Sequence, residues 1–293
     1  MTNIFCVYQQ IVEKALAENI SAFGSKLQEA IHYALTQGGK RLRPALVMMV
    51  AKALDPSKEV IKAALASEYF HTASLLADDL PCMDNDQNRR GKPATHILYG
   101  ESVAILASYA LIAEGYRSIV ENARALNVRE VGMLAIDNVS YNAGIRGAAL
   151  GQYLDLYPPR IDESTYIETA KKKTVALFEI CFVLGWLFGG GAVEKLPLVK
   201  KAAYHYGMAF QMADDFDDAS EDNAFERTMN AISIYGVEIA TSKLYKELEE
   251  YLMCLKELQI DSEELVSLAP LLLATLPLLK SSLIFRNSPF YER

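Results

Sequence analysis

Apolar residues recur at three- and four-residue intervals along much of the chain. Between residues 5 and 35 they fall at Val12, Ala15, Leu16, Ile20, Phe23, Leu27, Ile31 and Leu35. That spacing lines one face of an α-helix, so the pattern predicts amphipathic helices packed on a bundle. Further helices are predicted over 59–79, 101–120, 129–156 and 200–218, with an apolar helical tail over 236–293. Gly38-Gly39 interrupts the first helical region, and Pro44 suits the first turn of the next helix. Pro158-Pro159 ends the helix before it, and Lys171–Thr174 opens another. No Pro/Gly/Ser-rich linker divides the chain and no repeat is visible. The expectation is an all-α fold in one domain spanning 1–293.

Composition adds limits. Of 293 residues, 51 % are hydrophobic, ample for a sizeable core. The net charge is −8 and the pI about 5.2, which argues against a nucleic-acid binder with a basic face. The cysteines at 6, 82, 181 and 254 are scattered without a C-x-x-C, so reduced thiols in a cytoplasmic protein are expected. No secretory signal is visible at the start of the sequence. The apolar stretches Val175–Val193 and Leu271–Phe285 carry Glu179, a Gly189–Gly191 run, Pro277 and Lys280. They read as core helices, with no transmembrane segment expected.

Candidate chemistry lies in two acidic clusters. Residues 71–96 place Asp78, Asp79, Asp84 and Asp86 just ahead of Arg89, Arg90 and Lys92. Carboxylates hold Mg²⁺, Mg²⁺ holds phosphate, and arginines take further phosphate oxygens. The stretch reads as half of a Mg²⁺–diphosphate clamp; alone, it also fits a solvated charged loop. Pro81 should end the preceding helix. An undistorted helix would put Asp78 and Asp84 about 240° apart, so a shared ion needs that break. Near the other end come Asp214, Asp215, Asp217 and Asp218, with Gln211 on the stripe of Asp214 and Asp218. Like charges at that spacing repel, which suggests cations between them. Helical bundles build metal sites from inward carboxylates of this kind. The Gly38-Gly39 break followed by Lys40, Arg41 and Arg43 also suits a phosphate, although a solvated basic turn has the same composition.

GGKRLRP (38–44), DDLPCMD with RRGKP behind it (78–93), GQYLDL (151–156), KT (173–174) and FQMADDFDD (210–218) occur in one order. In these motifs the chain resembles the trans-type polyprenyl diphosphate synthases of the short-chain farnesyl and geranylgeranyl sort. The resemblance implies an isoprenoid-synthase bundle around a central cavity, and a homodimer. It implies a magnesium-dependent prenyltransferase with three Mg²⁺ per active site when substrate is bound. Isopentenyl diphosphate would be joined head-to-tail to dimethylallyl, geranyl or farnesyl diphosphate as the allylic partner. The metal ligands carried over are Asp78, Asp79, Asp84, Asp214 and Asp218. Asp215 and Lys173 join the catalytic set. Lys40, Arg43, His71 and Arg90 would contact isopentenyl diphosphate. Arg89, Lys173, Thr174 and Gln211 would contact the allylic diphosphate. Gln152 and Asp155 either support the metal site or are polar surface. Ala73, with Ser74 beside it, removes a floor from the chain-length pocket and leans towards a C20 product; Tyr69, Phe70 or Tyr109 would restore one.

Some positions depart from the family. Ala77 stands where relatives often carry His. Ser108-Tyr109-Ala110-Leu111 replaces G-D-A-L. After the second cluster, a glycine-rich segment ending in lysine is replaced by residues 222–236, where Arg227 is the nearest candidate cation. That change leaves a second reading open, a non-catalytic or regulatory subunit. A terpene cyclase is disfavoured by the intact second DDxxD and by GGKRLRP.

Overall fold

The computed structural model describes residues 2–19, 24–221 and 229–274, with side chains from Phe5 and not for 218–221. Ile20, Phe23, Arg227, Pro277 and Lys280 lie outside them, as does the Asp218 side chain. Two compact units emerge, residues 1–140 with 180–193, and residues 141–179 with 194–293.

In the first unit, α1 (Thr2–Asn19), α2 (Lys26–Thr36), α3 (Leu42–Leu54) and α4 (Ile61–Asp78) are followed by α5 (Thr95–Tyr99) and α6 (Glu101–Ala125). The helix predicted over 59–79 is α4. One core gathers Val12 and Leu16 of α1, Leu35 of α2, Leu65, Tyr69 and Leu76 of α4, and Leu111 of α6. Small residues let α4 and α6 lie close. A Cβ on Gly115 would sit 2.7 Å from the Phe70 ring. The Ser108 hydroxyl donates to the Ala73 carbonyl at 2.9 Å, and the Asn122 side chain accepts the Ala63 N–H at 3.1 Å. The last bond satisfies one of the N–H groups that every helix start leaves unpaired.

The second unit holds α8 (Ala148–Leu156), α9 (Glu163–Ala170), α11 (Leu196–Glu221), α12 (Ala231–Leu258), α13 (Glu263–Val266) and α14 (Leu268–Ala274). Two helices, α7 (Arg129–Ala143) and α10 (Ala176–Phe188), run through the division. The segment predicted as one helix over 129–156 is therefore α7 and α8, parted at Gly144–Gly147. Asp162 caps α9 by accepting the Thr165 N–H at 2.8 Å, and Asn230 and Ser233 form a capping box at α12. Between α9 and α10 the residues Lys171–Val175 form a π-helical turn.

One feature escapes a helical reading. Residues Asn88–Arg89 (β1) and Lys92–Pro93 (β2) pair as an antiparallel hairpin. Its two loop residues, Arg90 and Gly91, have φ of 55° and 75°, the left-handed pair that matches strand twist. Among the described residues, α6 is long and apolar enough to cross a membrane by length and composition, with 39 % of its best window buried. In contrast, α10 is buried nearly throughout.

Close approach of α3 and α10 depends on glycine. A Cβ on Gly185 would lie 2.6 Å from the Val47 carbonyl oxygen and 2.8 Å from Val50 Cβ. Helix propensity alone favours alanine by about 1 kcal/mol, while forced overlap costs about 1–3 kcal/mol. Gly185→Ala is therefore expected to lower the urea midpoint. A raised midpoint would show that the two helices part freely.

Candidate active site

The glycine break ahead of α3 brings four arginines to one place in the first unit. Arg41 sits at the helix start with φ 48° and is fully buried. It pairs with Glu68 of α4 and, at 2.7 Å, with Glu13 of α1, and donates to the Leu35 carbonyl. Two residues on, Arg43 Nη1 donates to His71 Nε2 at 3.2 Å. Desolvation of the ring, and then the charges of Arg43, Arg90, Arg41 and Arg89, hold His71 well below the usual imidazole range. It is thus neutral, with its proton on Nδ1. Arg90 reaches the same place from the hairpin loop and donates to the Gly38 carbonyl. Gly39, at φ 122°, leaves room for it, because a Cβ there would lie 2.7 Å from the guanidinium carbon. Lys40 is exposed. Sequence placed Lys40, Arg43, His71 and Arg90 together, and the last three do converge.

At the end of α4 the helix breaks where Pro81 required it. The Asp84 N–H donates to the Asp78 carbonyl at 2.9 Å, which folds residues 79–84 back onto the helix end. Asp78 and Asp84 are both partly exposed there. Asp79 differs. It is buried, and its Oδ1 accepts Arg89 Nε at 2.8 Å. Burial pushes its carboxyl up, and Arg89 opposes that shift. Arg89 also reaches Asp86 Oδ2 at 2.6 Å.

In the second unit, Lys173 and Thr174 stand on the π-helical turn. Such turns recur at functional sites. A Cβ on Gly151 of α8 would lie 2.2 Å from the Lys173 nitrogen, so glycine is what allows the contact. Lys173 Nζ reaches Asp155 Oδ2 at 2.5 Å. Thr174 donates to the Gln211 side chain. Gln211 Nε2 donates to Asp215 Oδ1 at 2.9 Å, and Asp215 Oδ2 accepts Tyr166 Oη at 2.7 Å and the Ala231 N–H at 2.8 Å. Gln211 was expected on the Asp214 stripe; its bond goes to Asp215, one full turn along. Asp214 itself is exposed.

The residue pattern of the polyprenyl synthetase family matches positions 24–230. The chain belongs to the polyprenyl synthetase family. It is 37 % identical over 201 residues to geranylgeranyl pyrophosphate synthase 3, chloroplastic, of Arabidopsis thaliana, covering 67 % of this chain and 56 % of that one. It is 38 % identical over 217 residues to the chloroplastic geranylgeranyl pyrophosphate synthase of Capsicum annuum, covering 72 % and 58 %. The chain thus spans little more than half the length of these relatives. Among solved structures, an FPP/GFPP synthase from Zymomonas mobilis superposes with TM-score 0.82 at 29 % identity, over 92 % of this chain and 96 % of that one. A geranyltransferase from Legionella pneumophila gives 0.81 at 27 % identity, over 92 % and 95 %. The fold of the chain is accordingly all-α.

Among the described residues no three His, Cys, Asp or Glu side chains form a self-contained metal centre. The donor set nonetheless fits magnesium, which takes one or two protein carboxylates and completes its shell with water and substrate phosphate. Asp78, Asp84 and Asp214 present carboxylates at the surface; Asp79 and Asp215 are engaged by protein donors. Ala73 is buried in the core with Tyr69 and Leu76, while the partly buried Ser74 donates to the His71 carbonyl at 2.9 Å. Tyr109 is 65 % exposed and so floors no pocket in the chain, a correction to the sequence expectation. Sequence reasoning missed Glu68, Glu13 and Tyr166. An acid inside the apolar run 61–70 was the visible signal for Glu68.

Burial raises Asp215 to about 6, against its three hydrogen bonds and with Asp214 adding to the rise. A folded-state value above the unfolded one means native stability falls as pH rises through 4 to 6. Tyr166→Phe removes one donor to the charged form and so raises that value further. Its cost is expected to be about 1–3 kcal/mol at pH 7.5 and to shrink by pH 5, where the carboxyl is protonated in both proteins. Urea midpoints at the two pH values, in chelator, check this; a cost independent of pH would contradict it.

Proposed function

We propose that this polyprenyl synthetase is a short-chain trans-prenyltransferase. It joins isopentenyl diphosphate to an allylic diphosphate, giving farnesyl or geranylgeranyl diphosphate and free diphosphate. The observation that carries the reading is the meeting of Arg43 and Arg90 with His71 beside the glycine break, His71 standing two turns before Asp78 on α4. Lys40, Arg43 and Arg90 bind the isopentenyl diphosphate, and neutral His71 donates through Nδ1. Arg89, Lys173 and Thr174 serve the allylic diphosphate.

An allylic C–O bond breaks only if charge on the leaving group is stabilised. Magnesium held at Asp78 and Asp84, and likewise at Asp214, would supply that stabilisation, as cations clamp other transferring phosphates. Arg89 and Lys173 add fixed positive charge. Opposite unit charges 4 Å apart attract by about 4 kcal/mol at an effective dielectric near 20, so a few such contacts supply a large part of a catalysed barrier reduction. The isopentenyl double bond attacks the allylic carbon as the C–O bond opens. A proton then leaves to the released diphosphate, and no protein nucleophile takes part.

A homodimer belongs to the same proposal. On α6 the residues Ile105, Leu106, Tyr109 and Ile112 are 38 %, 52 %, 65 % and 39 % exposed. A stripe of this kind on one long helix suits a self-complementary contact between two copies.

Incubation with labelled isopentenyl diphosphate, an allylic primer and Mg²⁺ should give an extended product, whose length separates C15 from C20. Asp78→Ala and Asp214→Ala are each expected to lower turnover by about 10²-fold or more with unchanged helicity. Near-normal rates in both would refute the assignment. Leu106→Glu is expected to halve the mass seen by light scattering at micromolar concentration. A wild-type monomer would remove the dimer from the proposal.

A further inference from the structure

Beneath the isopentenyl site lies a carboxylate that the reaction does not use. Glu68 is 1 % exposed and stands one helical turn before His71. A buried carboxylate is costly unless paired, and Glu68 has two guanidinium partners. Arg41 Nη1 bonds its Oε1, and Arg90 Nη2 lies 3.9 Å from the same atom. The two arginines are not equivalent. Arg41 is wholly buried and also held by Glu13 and the Leu35 carbonyl, so a ligand cannot reach it. The Arg90 side chain keeps 21 % of its surface, donates through Nη1 to the Gly38 carbonyl, and meets Glu68 only at long range. Among the described residues Glu68 is the one carboxylate within 4 Å of it.

We propose that Glu68 is a positioning residue for the isopentenyl diphosphate. It uses Arg41 as a fixed anchor and orients Arg90 towards the incoming anion. The inference rests on the proposed prenyltransferase reading. A tight pair would hold Arg90 away from the substrate. A contact of 3.9 Å guides the guanidinium while leaving phosphate able to displace it. The chain Glu13–Arg41–Glu68–Arg90 thereby ties α1, the glycine break, α4 and the hairpin loop to one diphosphate subsite. Glu68 acts through Arg90 and touches no substrate.

The test is steady-state kinetics with each substrate varied separately. Glu68→Gln keeps the shape and removes the charge. It is expected to raise KM for isopentenyl diphosphate about tenfold, with kcat and the allylic KM within about threefold. Glu13→Gln touches Arg41 and not Arg90, and should raise the same KM by less than about threefold. In an Arg90→Lys background, Glu68→Gln should add less than about twofold. Equal effects of the two glutamate variants, equal effects on both substrates, or full persistence without Arg90 would each overturn the proposal. If Glu68→Gln fails to fold, Gly39→Ala displaces the Arg90 guanidinium directly and must reproduce the selective rise in KM. A wild-type protein without condensation activity would sink the prenyltransferase reading itself. Calorimetric titration of isopentenyl diphosphate into wild type and Glu68→Gln would still decide the role of Glu68: weaker binding in the variant supports it, equal binding or none in either overturns it.

Discussion

Four guanidinium groups, Arg41, Arg43, Arg89 and Arg90, surround one neutral imidazole in the first unit. Like charges so placed repel, and burial removes the water that would screen them. The cluster therefore depends on carboxylates that are themselves buried, Glu68 for Arg41 and Arg90, and Asp79 for Arg89. Each acid is tolerable because of its bases, and each base because of its acid. Neutral His71 follows first from burial of its ring and then from the same positive charge.

Both aspartate clusters divide their work between neighbouring residues. Consecutive helical positions are about 100° apart, so two adjacent aspartates cannot face the same way. Asp79 and Asp215 turn inward and bond to protein donors, while Asp78 is partly exposed and Asp214 is exposed. The inward acid fixes local structure. Asp79 ties the hairpin to the end of α4 through Arg89. Asp215 ties α9 and the start of α12 to α11 through Tyr166 and Ala231. The neighbouring acid is the more exposed one in both clusters. Each pair thus sets one buried, protein-bonded carboxylate beside one nearer the surface.

The helices were legible because 3.6-residue periodicity survives in α1, α4, α6 and α11 and because Gly38-Gly39 and Pro81 mark breaks that the backbone obeys. Arg43, His71 and Arg90 were legible as a group only through the motif order, since nothing local says that residues 43 and 90 meet. Other features were hidden for physical reasons. The hairpin at 88–93 is too short and too charged to show alternation, and its signal is a single glycine after Arg90. The π-helical turn depends on how closely Gly151 lets α8 approach, a tertiary effect absent from the local sequence. Glu68 looked like an isolated acid in an apolar helix because its partners lie 27 and 22 positions away in the chain. Tyr109 misled for the opposite reason: an aromatic on α6 reads as pocket lining, and exposure is invisible in composition.

The hairpin joins two arginines with opposite duties by one peptide bond. Arg89 serves the carboxylates at the end of α4, and Arg90, held at φ 55° in a two-residue loop, serves the glycine break. A loop this tight has no slack to absorb a shift. The tight hairpin thereby fixes the backbone from which both arginine side chains extend, holding the two ion-pairing sites in one register.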